Sequence, residues 1–136
     1  MDWSDDITYA AHDLEDFYRS NIIPVSKLKS SSVERSRVID EMISDRKIHK
    51  NESPKYLSLL EGVTSLMPRG PYVASRIQRQ KIRSFVSYLV GKWINSTKFE
   101  NESLKISWEA KAEVAVVKAI TWKYVIRGRT LQALQR

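Results

Sequence analysis

Hydrophobic positions recur at three- and four-residue spacing along most of the chain, the pattern of helices that bury one face. The first such stretch covers residues 4–20, with Asp2 or Ser4 placed to cap it and Pro24 beyond its end. Residues 25–32, Val-Ser-Lys-Leu-Lys-Ser-Ser-Ser, read as a polar loop whose last serine caps a second, heavily charged helix over residues 33–48. Asn51-Glu52-Ser53-Pro54 breaks the pattern, and Pro54 suits the first turn of a short helix reaching Leu66. Pro68-Arg69-Gly70-Pro71 is the strongest turn signal. A long helical pattern then runs over residues 72–96 through Ile77, Ile82, Phe85, Val86, Leu89, Val90, Trp93 and Ile94. Only Gly91 interrupts it, at about 1 kcal/mol relative to Ala, so this stretch is the expected central packing element. Residues 97–107 carry strand character enough for a short extended piece and too little for a sheet. The last helix is expected over residues 108–126, with Gly128 as its C-cap.

These elements predict an all-α, irregular helical bundle without internal repeats, a single unit over residues 1–136. Within it, residues 1–20 form the opening helix, residues 21–71 a run of helices and loops, and residues 72–136 the long helices. Residues 130–136 are a helical pattern that reaches the end of the chain without breaker or cap, which suggests part of something longer. With 136 residues, 42% of them hydrophobic, one compact core is affordable and two are not. Trp93, Trp108 and Trp122 stand at apolar helical positions and are expected to be packing residues.

The absence of cysteine removes disulfides, thiolate metal sites and cysteine nucleophiles together, and suits a reducing compartment. An acidic N-terminus and the lack of any long apolar run predict a cytoplasmic chain with no membrane segment. No phosphate-binding glycine loop, dinucleotide glycine pattern, nucleophile elbow or calcium loop is present, so those enzyme classes drop out.

Charge is distributed unevenly. Residues 1–20 hold six acids against Arg19, net −5, which leaves +12 on residues 21–136 of a chain whose total is +7. On a helix turning about 100° per residue, Asp5, Tyr9 and Asp13 at i, i+4 and i+8 share a face, and His12 and Asp16 fall within about 20° of Asp5. Three carboxylates, an imidazole and a phenol thus form one stripe with no aliphatic residue in it. Such a row destabilises a helix unless water or cations compensate. A divalent metal such as Mg²⁺, Mn²⁺ or Fe²⁺ accepts carboxylate oxygen readily, and one helical Asp can complete a site whose other ligands lie elsewhere. The plainer alternative is a solvated face whose first-turn acids complement the helix dipole.

The stretch Met1-Asp2-Trp3-Ser4-Asp5-Asp6-Ile7-Thr8-Tyr9-Ala10-Ala11-His12-Asp13-Leu14-Glu15-Asp16 resembles the signature of the HD-superfamily deoxynucleoside triphosphate triphosphohydrolases of the dGTPase type. Residues 113–126 resemble a late helix of the same family, in the same order along the chain. The two matches cover about a quarter of the residues. The resemblance implies a helical HD-superfamily domain of which this chain is the later part. It implies an activity that splits a dNTP into deoxynucleoside and inorganic triphosphate with a divalent metal. It places the last metal ligand at Asp5, with Asp6 as the rival, a ring against the deoxyribose at Tyr9, and a carboxylate accepting from the sugar hydroxyl at Asp13.

The departure from the family lies upstream. The His and the His-Asp pair that supply the other three ligands precede the motif, in sequence this chain does not have. His12-Asp13 repeats the dyad's letters but belongs to the later motif, and with His49 the only other histidine a two-His, two-Asp cage does not assemble. The implied partners are a dNTP and either an upstream half or further copies of the chain, and the chain is expected to be inactive by itself.

A second expectation comes from residues 62–99, which contain no acid but carry Arg69, Arg76, Arg79, Lys81, Arg83, Lys92 and Lys98. Such a window could face a triphosphate or a nucleic acid, with Tyr72 and Tyr88 as stacking partners, or form a plain solvated face. The corresponding alternative to the hydrolase is a small basic helical module that binds nucleic acid or protein, or a non-catalytic remnant.

Overall fold

The computed structural model describes residues 2–126. Helix α1 (Trp3–Arg19) is capped by Asp2, whose carboxylate accepts from the Asp5 amide, and is followed by α2 (Val25–Ser30), α3 (Ser32–Ser44), a 3₁₀ turn (Lys50–Glu52) and α4 (Ser53–Leu66). Helix α5 (Arg76–Asn95) leads into β1 (Thr97–Glu100) and β2 (Ser103–Ile106), then α6 (Trp108–Thr121), which ends in a π-helical turn, Trp122–Ile126. The fold is a mostly helical, irregular bundle with one small hairpin. No helix among the described residues is long and apolar enough to cross a membrane.

Several boundaries differ from the sequence reading. Residues 25–30 are helical, because Val25 and Leu28 are buried on one side of a single turn and a half while Ser26, Lys27 and Ser30 face out. Ser31, one residue earlier than expected, caps α3 by accepting from the Glu34 amide. Helix α3 stops at Ser44, and Arg46 takes a left-handed φ of 58° that no helix continues through. Residues 72–75 are outside α5: Ala74 has φ 59°, and Ser75 caps the helix through the Gln78 amide. The Tyr72 backbone is instead held at both ends by the Asn21 side-chain amide, at 2.9 and 2.7 Å.

Residues 97–106 form a sheet after all, a two-stranded antiparallel one in which Thr97 pairs with Ile106 and Phe99 with Leu104. Asn101 and Glu102 close it with φ values of 50° and 63°, the two left-handed residues that a tight hairpin requires. The sequence hides this turn because neither position is glycine. The expected cap at Gly128 and the helical pattern of residues 130–136 lie outside the described residues.

The core is organised around α6 rather than α5. Ala110, Ala112, Val114, Val116, Val117 and Ile120 are all buried, so α6 is enclosed on most sides, and it packs against α1, α3 and α4. Helix α5 buries one face (Ile82, Phe85, Leu89, Trp93) against α1 and leaves the other exposed. Of the tryptophans expected to pack, Trp93 is fully buried while Trp108 and Trp122 are about half exposed, because they stand at the two ends of α6 where the enclosing helices run out.

One buried acid joins the two long helices. Glu113 on α6 accepts from the Trp93 indole nitrogen at 2.9 Å and from Lys92 at 3.0 Å. Glu113→Ala leaves the indole N–H without a partner and should cost about 2–3 kcal/mol of unfolding free energy, with Glu113→Gln costing clearly less because an amide oxygen still accepts from Trp93. Urea titration monitored by tryptophan fluorescence measures both.

Candidate functional site

Helix α1 is divided lengthwise. Ile7, Ala10, Ala11, Leu14 and Tyr18 are buried against α5 and α6, whereas Asp5, Tyr9, His12, Asp13 and Asp16 are all exposed along the opposite side. The division follows from the sequence spacing, since the apolar set recurs at three and four residues and the polar set fills the remaining angles. Tyr9 is 55% exposed, as are several other aromatic rings of the chain to a similar degree, Tyr88 and Trp122 among them.

The remaining acids of α1 are engaged. Asp2 caps the helix, Asp6 accepts from Lys118 of α6 at 2.7 Å, and Glu15 pairs with Arg19 at 3.1 Å. Asp5, Tyr9, His12, Asp13 and Asp16 make no side-chain hydrogen bond or ion pair among the described residues. The five share an outward face.

Whether this chain can hold a cation by itself is decided by ligand count. Among the described residues no group of three or more His, Asp or Glu side chains is placed to hold a metal ion. The stripe runs about 12 Å from Asp5 to Asp13, too long for both carboxylates to meet one ion whose bonds are 2.0–2.6 Å, or roughly that. Asp5 can therefore offer one carboxylate to a cation and no more, and no chemical step follows from these residues alone.

The basic window does not form one continuous patch. Lys92 is bound to Glu113 and lies 3.8 Å from Glu109. Arg69 and Lys81 line an open groove of about 1000 Å³, together with Lys29, Leu66, Ile77, Phe85 and Tyr88, while Arg79 and Arg83 are exposed outside it. Tyr72 is not available for stacking: its ring packs on Tyr18 at 5.5 Å, while Tyr88 is half exposed on the groove wall.

A polar cluster that the sequence gave no sign of lies between α3 and the π-helical turn. Tyr124 donates a short hydrogen bond to the buried Glu34, Arg37 lies 3.4 Å from the same carboxylate, and Lys123 donates to Glu41 at 3.0 Å. The partners are some 90 residues apart in sequence, so no local pattern could have paired them. The phenol's hydrogen bond, opposed by burial and aided by Lys123 and Arg37, holds the Glu34 carboxyl below its usual range. Burial first, then the Glu34 bond, pushes the Tyr124 phenol far up, so it stays protonated. The cluster is a clamp between helices.

A carboxylate whose folded-state pKa is depressed stabilises the fold above its unfolded-state pKa, and loses that contribution as pH falls through the folded-state value. Thermal melts should therefore show stability falling below about pH 4.5 in part through Glu34. Tyr124→Phe should cost about 1–2 kcal/mol at neutral pH and flatten that part of the acid limb.

In comparisons with protein-family models, with curated proteins and with solved structures, nothing matches this chain.

Proposed function

We propose that the chain is the later helical part of a dGTPase-like, metal-dependent dNTP triphosphohydrolase. In this reading Asp5 supplies the last metal ligand, Tyr9 packs on the deoxyribose and Asp13 accepts from its hydroxyl. The observation that carries it is the outward face of α1: the residues that the resemblance assigns to metal and sugar are solvent-facing and unpaired among the described residues, on a helix whose other face is fixed in the core. The rival ligand Asp6 is bound to Lys118, which favours Asp5.

The remaining ligands, a His and a His-Asp pair, belong in this reading to a further stretch of polypeptide that closes over α1. The metal, Mg²⁺, Mn²⁺ or Fe²⁺, supplies Lewis acidity at the phosphate when bound. What this chain contributes is position: a rigid helix that sets one carboxylate, one ring and a second carboxylate at about 6 Å intervals. Alone, the chain is inactive.

The test is reconstitution. The DNA immediately upstream should encode a His and a His-Asp dyad, in frame or in a neighbouring frame. The purified chain mixed with that product and divalent metal should convert dGTP to deoxyguanosine and triphosphate, followed by ion-exchange chromatography. Asp5→Ala should lower the rate by more than about a hundredfold. Asp13→Asn should lower kcat/KM by about tenfold, the value of one charge-assisted hydrogen bond. No turnover from two folded halves with metal supplied overturns the reading.

A further inference from the structure

The exposed side of α5 borders a furrow that the fold leaves open. At one end it is the groove of about 1000 Å³ lined by Arg69, Ile77, Lys81 and Phe85. At the other it continues into a smaller cleft of about 260 Å³ lined by Ser58, Gly62 and Lys92, and Leu66 and Tyr88 belong to both. The α5 positions in the lining, Ile77, Lys81, Phe85, Tyr88 and Lys92, are spaced by three and four residues and so form one helical stripe, about 22 Å long from end to end. Across from Tyr88 and Lys92 stand Ser58, Gly62 and Leu66 of α4, which run in the opposite direction, and across from Ile77 and Lys81 stand Lys29 and Arg69. The furrow is thus a seam between α5 and, across from it, α4 and the segment that follows α4, with no further helix laid into it among the described residues.

Its lining has the composition of a seam. Leu66 is 57% exposed, Ile77 65% and Tyr88 52%, three large apolar side chains that the chain's own core does not cover. Gly62 and Ser58 keep the α4 wall low, and a Cβ at Gly62 would meet nothing within 4 Å. The charge differs between the two ends: the small cleft carries Glu109 and Glu113 beside Lys92, whereas the large groove is lined by Lys29, Arg69 and Lys81 with no acid among its lining residues. Lys29 is occupied in capping α4, donating to the carbonyls of Thr64, Ser65 and Met67 at 2.6–3.1 Å. Arg69 and Lys81 have no ion-pair partner among the described residues, and residues 62–99 hold no acid. Burial, and after it the nearby Arg69, lower the Lys29 pKa.

We propose that this furrow docks an amphipathic α-helix of a partner polypeptide, with its aliphatic side on Leu66, Ile77 and Tyr88 and carboxylates beside Arg69 and Lys81. The inference is independent of the hydrolase reading, which uses the outward face of α1. Charge complementarity at the groove end, where Arg69 and Lys81 stand, selects an acidic occupant, and the length of the stripe selects a helix of about four turns. A nucleic-acid strand fits less well: it asks for successive aromatic platforms and a row of cations, and the furrow offers one exposed ring, two unpaired cations and an aliphatic floor.

The probe is a fluorescein-labelled peptide of about 18 residues with Leu and Ala on one helical face and Glu elsewhere, titrated by anisotropy into the full chain. A version with Lys for Glu, a version with the same residues in scrambled order, and a labelled oligothymidylate are titrated in parallel. The Glu peptide should bind, more weakly as salt is raised, and the Lys and scrambled versions should bind at least about tenfold more weakly. Ile77→Asp and the pair Arg69→Glu with Lys81→Glu should each weaken the Glu peptide by about tenfold or more, while Arg83→Glu, exposed outside the furrow, should change it less than about twofold. All three variants alter exposed side chains, and circular dichroism melts should match the parent chain. Equal binding of the scrambled peptide, equal loss in Arg83→Glu, or oligothymidylate binding that Ile77→Asp abolishes would each overturn the proposal. Sedimentation showing a dimer that Ile77→Asp dissociates would overturn it too, in favour of a second copy in the furrow.

Discussion

Enclosure of α6 is the constraint on which the other elements depend. A helix buried on most sides must be small where neighbours come close and apolar at most of its enclosed positions, and Ala110, Ala112, Val114, Val116 and Val117 meet that demand. The cost falls on Glu113, whose buried carboxylate is tolerable only because the Trp93 indole and the Lys92 ammonium both donate to it. That bond fixes where α5 meets α6. Helix α1 then packs on both, and its rotation about its own axis is set by which residues it must bury there.

The rotation of α1 decides what the protein presents to its surroundings. Once Ile7, Ala10, Leu14 and Tyr18 are committed inward, Asp5, Tyr9 and Asp13 have only solvent to face. Asp6 lies between the two sides and reaches Lys118, so it acts as a strap holding α1 to α6 rather than as a free carboxylate. The same logic gives α5 its character. Its inward face is spent on α1, and its outward face, with Ile77, Lys81 and Tyr88, borders the furrow beside α4.

Much of this could be read from residue order. The lengthwise division of α1, the start of α4 near Pro54, the break in helix at residues 68–71 and the onset of α6 at Trp108 all rest on local rules: periodicity, proline geometry and capping. Local rules failed where a long-range contact overrode them. Residues 25–30 look like linker until Leu28 finds the core, and the hairpin at residues 97–106 is closed by an Asn and a Glu in the left-handed conformation, a position where sequence habit expects glycine.

Sequence alone determined that the chain is mostly helical, that its opening helix is acidic on one side and that Asp5, Tyr9 and Asp13 share that side, because these follow from spacing along one helix. Tertiary structure decided that α6 and not α5 sits at the centre. It decided which acids are spent on Lys118, Trp93 and Tyr124, and that α4 and α5 diverge to leave a furrow. Those outcomes depend on which helix faces which, and the packing of side chains far apart in the chain is a choice that no local pattern encodes.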